Sequence, residues 1–152
     1  MLCPYCLSDG TVVKDSRSCD AGHTVRRRRE CVECKARFTT FERVQLKELI
    51  VTKKDKTKRP FDREKILRSI NLAVRKRPVT GEQVDNLVND IVRNLESSCK
   101  NEVSSELIGR KVMEGLANLD QVAYVRFASV YTDFNEAKDF GKFIINMEIE
   151  DA

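Results

Sequence analysis

Two cysteine pairs of identical spacing constrain this chain more than any other feature. Cys3 and Cys6 form the first pair, Cys31 and Cys34 form the second, and each pair encloses two residues. A tight turn of this kind presents two thiolates to one side of a metal ion, and two such turns complete the tetrahedral shell that Zn²⁺ prefers. We therefore predict a zinc ribbon with one structural Zn²⁺ per chain. Two disulfides are the alternative.

The surroundings of these cysteines favour metal over disulfides. The first cysteine follows Met1 so closely that we expect no signal peptide, and no apolar run approaches the roughly 20 residues that cross a bilayer. We therefore expect a cytoplasmic protein with reduced thiols and no membrane partner. Four cysteines already complete the metal shell. Cys19 and Cys99 are thus predicted to be ordinary thiols, and His23 is predicted to stay off the metal.

Charge is distributed unevenly along the 152 residues. Residues 1–46 carry a formal charge of +3, residues 47–79 carry +8 and residues 80–152 carry −7, for a net charge of +4. Such an asymmetry indicates an anionic partner for the N-terminal half of the chain.

Four consecutive arginines, residues 26–29, stand just before the second cysteine pair. Flanking β-rich runs predict short strands here, so Arg26 and Arg28 should face one way and Arg27 and Arg29 the other. Guanidinium groups bind phosphate oxygens and guanine edges bidentately, which predicts a nucleic-acid surface; a solvated charged face is the alternative. The candidate contacts are Lys14, Arg17, Arg26, Arg27, Arg28, Arg29 and Arg37.

The rest of the chain predicts a β-hairpin followed by a helical bundle. Leu49 to Asp55 and Thr57 to Phe61 form the hairpin, and the hydrophobic period then changes from two to about 3.6. Helices are predicted to begin after Asp62, after Thr80 in a Thr-x-x-Gln capping box, at Ser104 or Ser105, after Asp120, and from about Asn135 to Met147. The fold class is therefore α+β. We expect a ribbon at residues 1–45, a second domain at 46–140 and a tail at 141–152.

Lysines on the hairpin turn and in the first helix could meet phosphate groups. They include Lys53, Lys54 and Lys65, and the last lies one turn into a helix whose free amides favour anions. No Gly-rich phosphate loop is present, and a solvated basic hairpin is the alternative. On the fourth helix, Tyr124, Phe127, Tyr131 and Phe134 form an aromatic stripe that we interpret as core.

Longer strings in the chain resemble known families. Val51-Thr-Lys-Lys-Asp55 resembles the opening of an ATP-cone, the nucleotide-binding module of ribonucleotide reductases. Phe61 and Lys65-Ile66 follow at the spacing of that module, with no insertion or deletion. With this module, the chain from residue 1 to about 140 closely resembles the NrdR family, the bacterial repressors of ribonucleotide reductase operons. The further matching strings are Cys3-Pro-Tyr-Cys6, Asp15-Ser-Arg17, Val25 to Cys31, Arg37-Phe-Thr-Thr-Phe-Glu42, Lys76-Arg-Pro78 and Leu119 to Tyr131.

The resemblance implies a role for particular residues. Cys3, Cys6, Cys31 and Cys34 match the zinc ligands, and Arg17 and the four arginines match operator-contacting positions. Lys53, Lys54 and Lys65 match phosphate-binding positions of ATP-cones, Val51 matches the base side, and Tyr131 matches a wall of the pocket.

The resemblance also implies how the protein works. It implies a homo-oligomeric, nucleoid-associated repressor that is not an enzyme and that binds double-stranded DNA at paired operator boxes. ATP and dATP, with Mg²⁺ as a candidate companion ion, would select the oligomer without being hydrolysed.

Two positions depart from the usual ATP-cone pattern. Lys56 stands where glycine usually follows the hairpin aspartate, so the turn must change shape or accept strain. Arg59 stands where a glutamate usually precedes the residue occupied here by Pro60, and a guanidinium cannot accept hydrogen bonds from ribose hydroxyls.

The sequence leaves two other classes of function open. One is a zinc-ribbon module that binds RNA or a polymerase without nucleotide control. The other is a small nucleotide-using enzyme, with Asp55, Asp62 and Glu64 as the carboxylates near the lysines.

Overall fold

The computed structural model describes residues 1–98, 101–132, 134 and 136–150. The chain divides into two compact units, Met1–Gln45 and Leu46–Ala152. In chain order the elements are β1 Thr11–Cys19, a 3-10 turn Asp20–Gly22, β2 Thr24–Cys31, β3 Arg37–Arg43, β4 Ile50–Thr52, β5 Lys58–Pro60, α1 Arg63–Ala73, α2 Gly81–Ser98, β6 Glu102–Ser104, α3 Ser105–Leu119, α4 Gln121–Tyr131 and α5 Ala137–Glu150. The α+β class is confirmed. Within the described ranges, no helix has the length and apolar character that a membrane span needs.

The first unit is an antiparallel sheet in which β2 lies between β1 and β3. Opposite Arg27 lie Ser16 of β1 and Thr40 of β3. The register between β1 and β2 shifts between Val13 and Asp15, which marks a bulge at Lys14. The predicted strands are present, and β1 continues to Cys19, well beyond the β-branched run that predicted it.

The second unit contains the predicted hairpin and one strand that the sequence did not predict. β4 pairs antiparallel with β5, as expected. β6 pairs with β4 in parallel, with Val51 opposite Val103. Three residues between two helices carry too little period-2 pattern to signal a strand, so only the tertiary pairing defines β6.

The predicted helix starts are confirmed by side-chain caps. The carboxylate of Asp62 accepts from the amide of Glu64 at 2.9 Å, and that of Asp120 accepts from the amide of Ala123 at 2.8 Å. Further caps are the Ser104 hydroxyl, which accepts from the Leu107 amide at 3.1 Å, and the reciprocal box of Thr80 and Gln83 at 3.2 and 2.8 Å. Each cap satisfies an amide that has no partner inside its own helix.

A single hydrophobic core lies within the second unit. Its most buried large side chains come from α1, α2 and α3: Ile70, Leu95, Leu116, Val84, Val88 and Val112. Tyr124 and Phe127 pack against this core, which confirms the interpretation of the aromatic stripe for these two of its four residues. Each fully buried aliphatic side chain contributes about 1.5–3 kcal/mol.

The C-terminal helix differs from its expected bounds. It runs over Ala137–Glu150, so it ends beyond the predicted Met147, and residues 141–150 are helical. Phe134 and the α5 residues Phe140 and Phe143 form an aromatic cluster, with ring centroids 5.3–6.5 Å apart. The predicted start at Asn135 and the predicted thiol Cys99 lie outside the described residues.

Candidate metal, nucleic-acid and nucleotide sites

The four paired cysteines converge on one point at the end of the first sheet. Their sulfur atoms all lie within 4.8 Å of one another. Cys3 and Cys34 are 3.6 Å apart between sulfurs, and Cys6 and Cys31 are 3.5 Å apart. Cys3 and Cys31 are fully buried, whereas Cys6 and Cys34 are exposed. The cysteines are free thiols rather than disulfides.

These distances fit a tetrahedral zinc ion. Zn–S bonds of about 2.3 Å in a tetrahedron separate neighbouring sulfurs by about 3.8 Å, close to both measured pairs. The knuckle turns are built by the backbone: the Leu7 amide donates to the Cys3 carbonyl at 2.9 Å, and the Lys35 amide donates to the Cys31 carbonyl at 3.1 Å. Leu7 and Lys35 have positive φ angles of 62° and 59°, so each turn closes through a left-handed residue.

The pKa values of the clustered thiols indicate that a cation is needed for all four to ionise. Burial raises the pKa of the Cys3 thiol, but the amides of Cys6 and Tyr5 and the sulfurs of Cys34 and Cys6 outweigh it, and the pKa falls from 9.0 to about 7. The Ala36 amide favours the thiolate of Cys34, yet burial and the neighbouring sulfurs raise its pKa to about 12. Adjacent thiolates oppose one another's ionisation. Four thiolates are compatible only with a cation among them, a charge that Zn²⁺ would supply.

The arginine run of β2 divides between the two faces of the sheet. Arg26 lies opposite Arg17, and Arg28 lies opposite Asp15. Residues directly opposite in an antiparallel pair share a face, so the expected alternation places these side chains together. We call this side the basic face; its residues are Arg17, Arg26, Arg28, Arg37 and Arg43. Arg27 and Arg29 lie on the reverse side.

The two faces differ in how their charges are used within the fold. On the reverse side Arg27 pairs with Glu42 at 2.8 Å, and Arg29 donates to the Thr40 hydroxyl at 3.1 Å. Among the residues that the structure describes, Arg26 and Arg28 have no ion-pair partner. Arg27 and Arg29 therefore link β2 to β3, although only Arg27 does so through an ion pair, whereas no such contact of Arg26 or Arg28 is found among the described residues.

Three other predicted contacts of the ribbon are partly neutralised. Glu30 pairs with Arg37 at 3.0 Å and with Lys14 at 3.4 Å, and these contacts, that with Arg37 foremost, lower the pKa of the Glu30 carboxyl. Arg17 pairs with Asp15 at 2.9 Å while its side chain remains 75% exposed. The cationic side chains of all three pairs are mostly exposed, at 56–84%, and ion pairs at a protein surface contribute little stability.

The basic face also carries an aromatic side chain that the sequence did not single out. Phe41 lies opposite Arg26 and is exposed, and the Arg43 guanidinium lies 4.8 Å from the centre of its ring. This cation–π contact favours the position of the ring next to Arg43, on the strand position opposite Arg26. The alternation of residues 37–43 could have revealed it, because Phe41 falls on the same side as Arg37.

The predicted phosphate-binding turn is a compact loop between β4 and β5. The Lys53 amide donates to the Thr57 carbonyl at 2.9 Å, and the Lys56 amide donates to the Lys53 carbonyl at 2.9 Å. The Asp55 carboxylate accepts from the Thr57 hydroxyl at 2.7 Å and amide at 3.0 Å, and these bonds lower its pKa. Lys53 is half-buried and Lys54 is exposed. The backbone bonds hold both lysines on one tight turn.

The candidate pocket residues Val51 and Tyr131 are each linked to the chain around the start of α3. The strand register carries Val51 alongside Val103, directly before the Ser104 cap of α3. In the first turn of α3, the Tyr131 hydroxyl donates to the Glu106 carbonyl at 2.9 Å. The Tyr131 ring stacks on Phe127 with centroids 5.7 Å apart. Lys65 lies exposed in the first turn of α1.

Both departures from the ATP-cone pattern have structural consequences. Lys56 has a φ of +65°, so the turn keeps the left-handed shape that glycine adopts, and the lysine accepts the strain. Arg59 lies opposite Val51 on the exposed strand β5. A different residue must therefore supply any acceptor for ribose hydroxyls.

Sequence comparisons extend over both units. The family profile of the "Transcriptional repressor NrdR-like, N-terminal domain" matches residues 1–42, and that of the "ATP cone domain" matches residues 49–137. The chain is 59% identical over 144 residues to "Transcriptional repressor NrdR" of Mesorhizobium japonicum, covering 95% of this chain and 91% of that one. It is 56% identical over 149 residues to "Transcriptional repressor NrdR 3" of Paramagnetospirillum magneticum, covering 98% and 97%.

A third relative matches along the entire length. "Transcriptional repressor NrdR" of Sinorhizobium fredii is 53% identical over 152 residues, covering 100% of this chain and 97% of that one. Both halves of the chain thus match, in the same order, proteins that share one name. With its four-cysteine cluster and its ATP-cone, this chain belongs to the NrdR family of transcriptional repressors, which are not enzymes.

Proposed function

We propose that this protein represses ribonucleotide reductase operons by binding paired operator boxes through its zinc ribbon. ATP and dATP bound to the cone would set its oligomeric state and thereby its affinity for DNA. The observation that carries the proposal is the union, in one chain, of a metal-held basic sheet and an ATP-cone, matched over nearly full length by NrdR repressors. Such a protein works in the cytoplasm, at the nucleoid.

The proposed DNA-binding surface is the basic face. Among the described residues Arg26 and Arg28 have no ion pair, and Arg17, Arg37 and Lys14 add exposed cationic side chains that DNA phosphates would draw from Asp15 and Glu30. Forked guanidiniums suit phosphate oxygens and guanine edges. Arg27 and Arg29, although also candidates, would contribute mainly through the sheet that they hold together.

Paired double substitutions test this division of labour. We expect Arg26→Ala with Arg28→Ala to make the salt dependence of binding to the organism's reductase promoter shallower by about 0.9 for each lost phosphate contact. Arg27→Ala with Arg29→Ala removes the same charge from the same strand and serves as the matched control. Its slope should stay near that of the parent, while the ribbon unfolds at lower temperature. Equal slopes for the two variants would contradict the assignment.

The proposed nucleotide site comprises Val51, Lys53, Lys54, Lys65 and Tyr131. Lysine point charges on the turn and in the first turn of α1 would bind phosphates, with Mg²⁺ as a candidate companion ion, while Val51 and Tyr131 would border the base. We expect Lys53→Ala and Lys65→Ala to weaken ATP binding in calorimetry and to leave the zinc content unchanged. Parental ATP affinity in both variants would remove the site assignment.

Control by nucleotide is a linkage between two equilibria. A nucleotide shifts the assembly only by its difference in affinity for the DNA-competent and incompetent oligomers. Size-exclusion chromatography with ATP, with dATP and without nucleotide should therefore give different elution volumes, and a turnover assay should detect no hydrolysis. One elution volume and no nucleotide binding would instead favour a zinc-ribbon module that binds nucleic acid or a polymerase without nucleotide control.

A further inference from the structure

A buried carboxylate on α2 has no part in the sites described so far. Glu96 is 5% exposed, and its Oε2 accepts a hydrogen bond from the Leu46 amide at 2.9 Å. Two features make its charge costly. Burial removes water from the carboxylate, and its position in the last turn of Gly81–Ser98 sets it against the negative end of the helix dipole. Within the described helix, that turn contains no basic residue.

The hydrogen-bond partner of Glu96 lies where the second unit begins. Leu46 is the first residue of that unit, and residues 46–49, which we call the connector, lead from it into β4. The far end of the connector is also fixed. Leu49 is 4% exposed and its carbonyl accepts from the Phe61 amide at 2.9 Å, while the Ile50 amide donates to Asn101 at 2.9 Å. The connector is therefore held at both ends.

One end of this short path reaches the proposed nucleotide site. β4 follows the connector directly and carries Val51, and Lys53 comes next in the turn. Only four residues separate Leu46 from Val51 along the chain. A displacement of β4, if nucleotide binding produced one, would thus pass along the backbone to the point where the chain leaves for the ribbon. Its size there depends on whether Leu46 is anchored.

We propose that Glu96 is a positioning residue that couples the nucleotide site to the zinc ribbon by anchoring the connector to α2. The inference rests on the proposed function, because it concerns how nucleotide binding controls affinity for DNA. With the anchor in place, Leu46 follows α2 and β4 as one body. Without it, the connector absorbs the displacement, and the ribbon no longer distinguishes the nucleotide states.

The quantity to measure is the ratio of the dissociation constants for the organism's reductase promoter duplex in ATP and in dATP. Glu96→Ala removes the acceptor, and we expect it to reduce this ratio by about fivefold or more towards one. Glu96→Gln keeps a side-chain oxygen for the Leu46 amide and should retain most of the ratio. Asp90→Ala is the matched control, because it removes an exposed carboxylate from the same helix.

Two further measurements separate coupling from stability. ATP affinity by calorimetry should be parental in Glu96→Ala, because Glu96 lies outside the proposed nucleotide site. Thermal unfolding should stay close to the parent, since relief of the helix dipole and of charge burial offsets the lost hydrogen bond. A purely structural role would instead lower ATP affinity and thermal stability together and leave Glu96→Gln without selective rescue.

These measurements distinguish a coupling role of Glu96 from a purely structural one. A reduced ratio with parental ATP affinity and recovery in Glu96→Gln supports the inference. A parental ratio in Glu96→Ala, or a ratio lost together with ATP binding, overturns it and leaves the proposed function intact. Equal affinities of the parent protein in ATP and dATP would defeat the proposed function itself, and the inference with it.

Discussion

At the scale of single residues, the turn between β4 and β5 depends on an unusual backbone conformation at Lys56. Its φ of +65° places the Cβ atom in the crowded left-handed region, although the turn closes through a hydrogen bond from the Lys56 amide to the Lys53 carbonyl at 2.9 Å. The lysine side chain is exposed. The strain is therefore in the backbone, and the exposed Lys56 side chain adds one positive charge to the turn.

Two substitutions isolate this strain. Lys56→Gly and Lys56→Ala remove the same charge and differ only in the Cβ atom, so we expect the glycine variant to be more stable by about 1 kcal/mol. Urea unfolding at constant salt measures the difference. Equal stability would mean that the turn relaxes to another shape. In calorimetry, both variants should show the same change in ATP affinity, because each loses one cation from the turn.

A second residue-scale constraint is the contact between Gly109 and Tyr131. A Cβ atom on Gly109 would lie 2.0 Å from the Tyr131 ring, so only glycine lets the ring rest on α3. We expect Gly109→Ala to destabilise the cone by about 1–3 kcal/mol through overpacking and to displace Tyr131. Gly81→Ala is the control, because its Cβ meets nothing within 4 Å. Thermal unfolding of both variants checks the prediction, and a parental melting temperature for Gly109→Ala would refute it.

At the scale of elements, helix starts were predictable because capping is local. Asp62, Thr80, Ser104 and Asp120 each satisfy an amide two or three residues further on, and such a relation can be read from one stretch of sequence. The parallel pairing of β6 with β4 joins residues about 50 positions apart, and the sequence does not signal it. The anchoring of Leu46 by Glu96 escapes prediction for the same reason.

The same contrast applies to the candidate sites. The clustering of the four cysteines could be predicted from their spacing alone, because two short turns present four sulfur donors. The alternation of Arg26 to Arg29 was also predictable. Which arginines of the run are engaged within the sheet depended on Glu42 and Thr40 of β3, whose register with β2 only the folded sheet defines.

Asp120 joins two elements, because its carboxylate caps α4 and also binds Arg77. The Arg77 Nε lies 3.0 Å from both carboxylate oxygens, and the Asp120 side chain is only 8% exposed. Burial raises the pKa of the Asp120 carboxyl, but the Ala123 amide and the Arg77 guanidinium outweigh it and hold the pKa below its usual 3.8. The stabilisation is therefore complete above about pH 4 and is lost as pH falls through the lowered pKa.

Two variants separate the cap from the ion pair. Asp120→Asn keeps a capping oxygen and loses the charge, so it should cost about 1 kcal/mol at pH 7 and lose part of the acid sensitivity. Asp120→Ala loses both interactions and should cost about 2–3 kcal/mol. Urea unfolding at pH 7 and pH 3 measures both effects. If the parent and Asp120→Asn lost stability equally between these pH values, the ion pair would have no role in the acid response.

At the scale of the whole molecule, each of the two units is stabilised internally by a different kind of interaction. Within residues 1–45, all of which the structure describes, the buried side chains are Cys3, Thr24 and Cys31. Two of these three are predicted zinc ligands, so the ribbon has almost no apolar core to hold it. The second unit instead buries a continuous cluster from Leu49 to Ala123. The stability of the ribbon thus depends on the metal, and that of the cone depends on apolar packing.

This difference predicts that removing zinc unfolds one unit and spares the other. Metal binding to a four-cysteine site contributes on the order of 10 kcal/mol, far more than a 45-residue sheet without a core could supply otherwise. A strong chelator with a thiol reductant should therefore abolish DNA binding and expose residues 1–45 to proteolysis, while ATP affinity in calorimetry stays near that of the parent. Adding back Zn²⁺ should restore protection at a stoichiometry of about one ion per chain. Loss of ATP binding at the same chelator concentration would contradict the independence of the two units, because the cone's own core would then be insufficient to keep it folded.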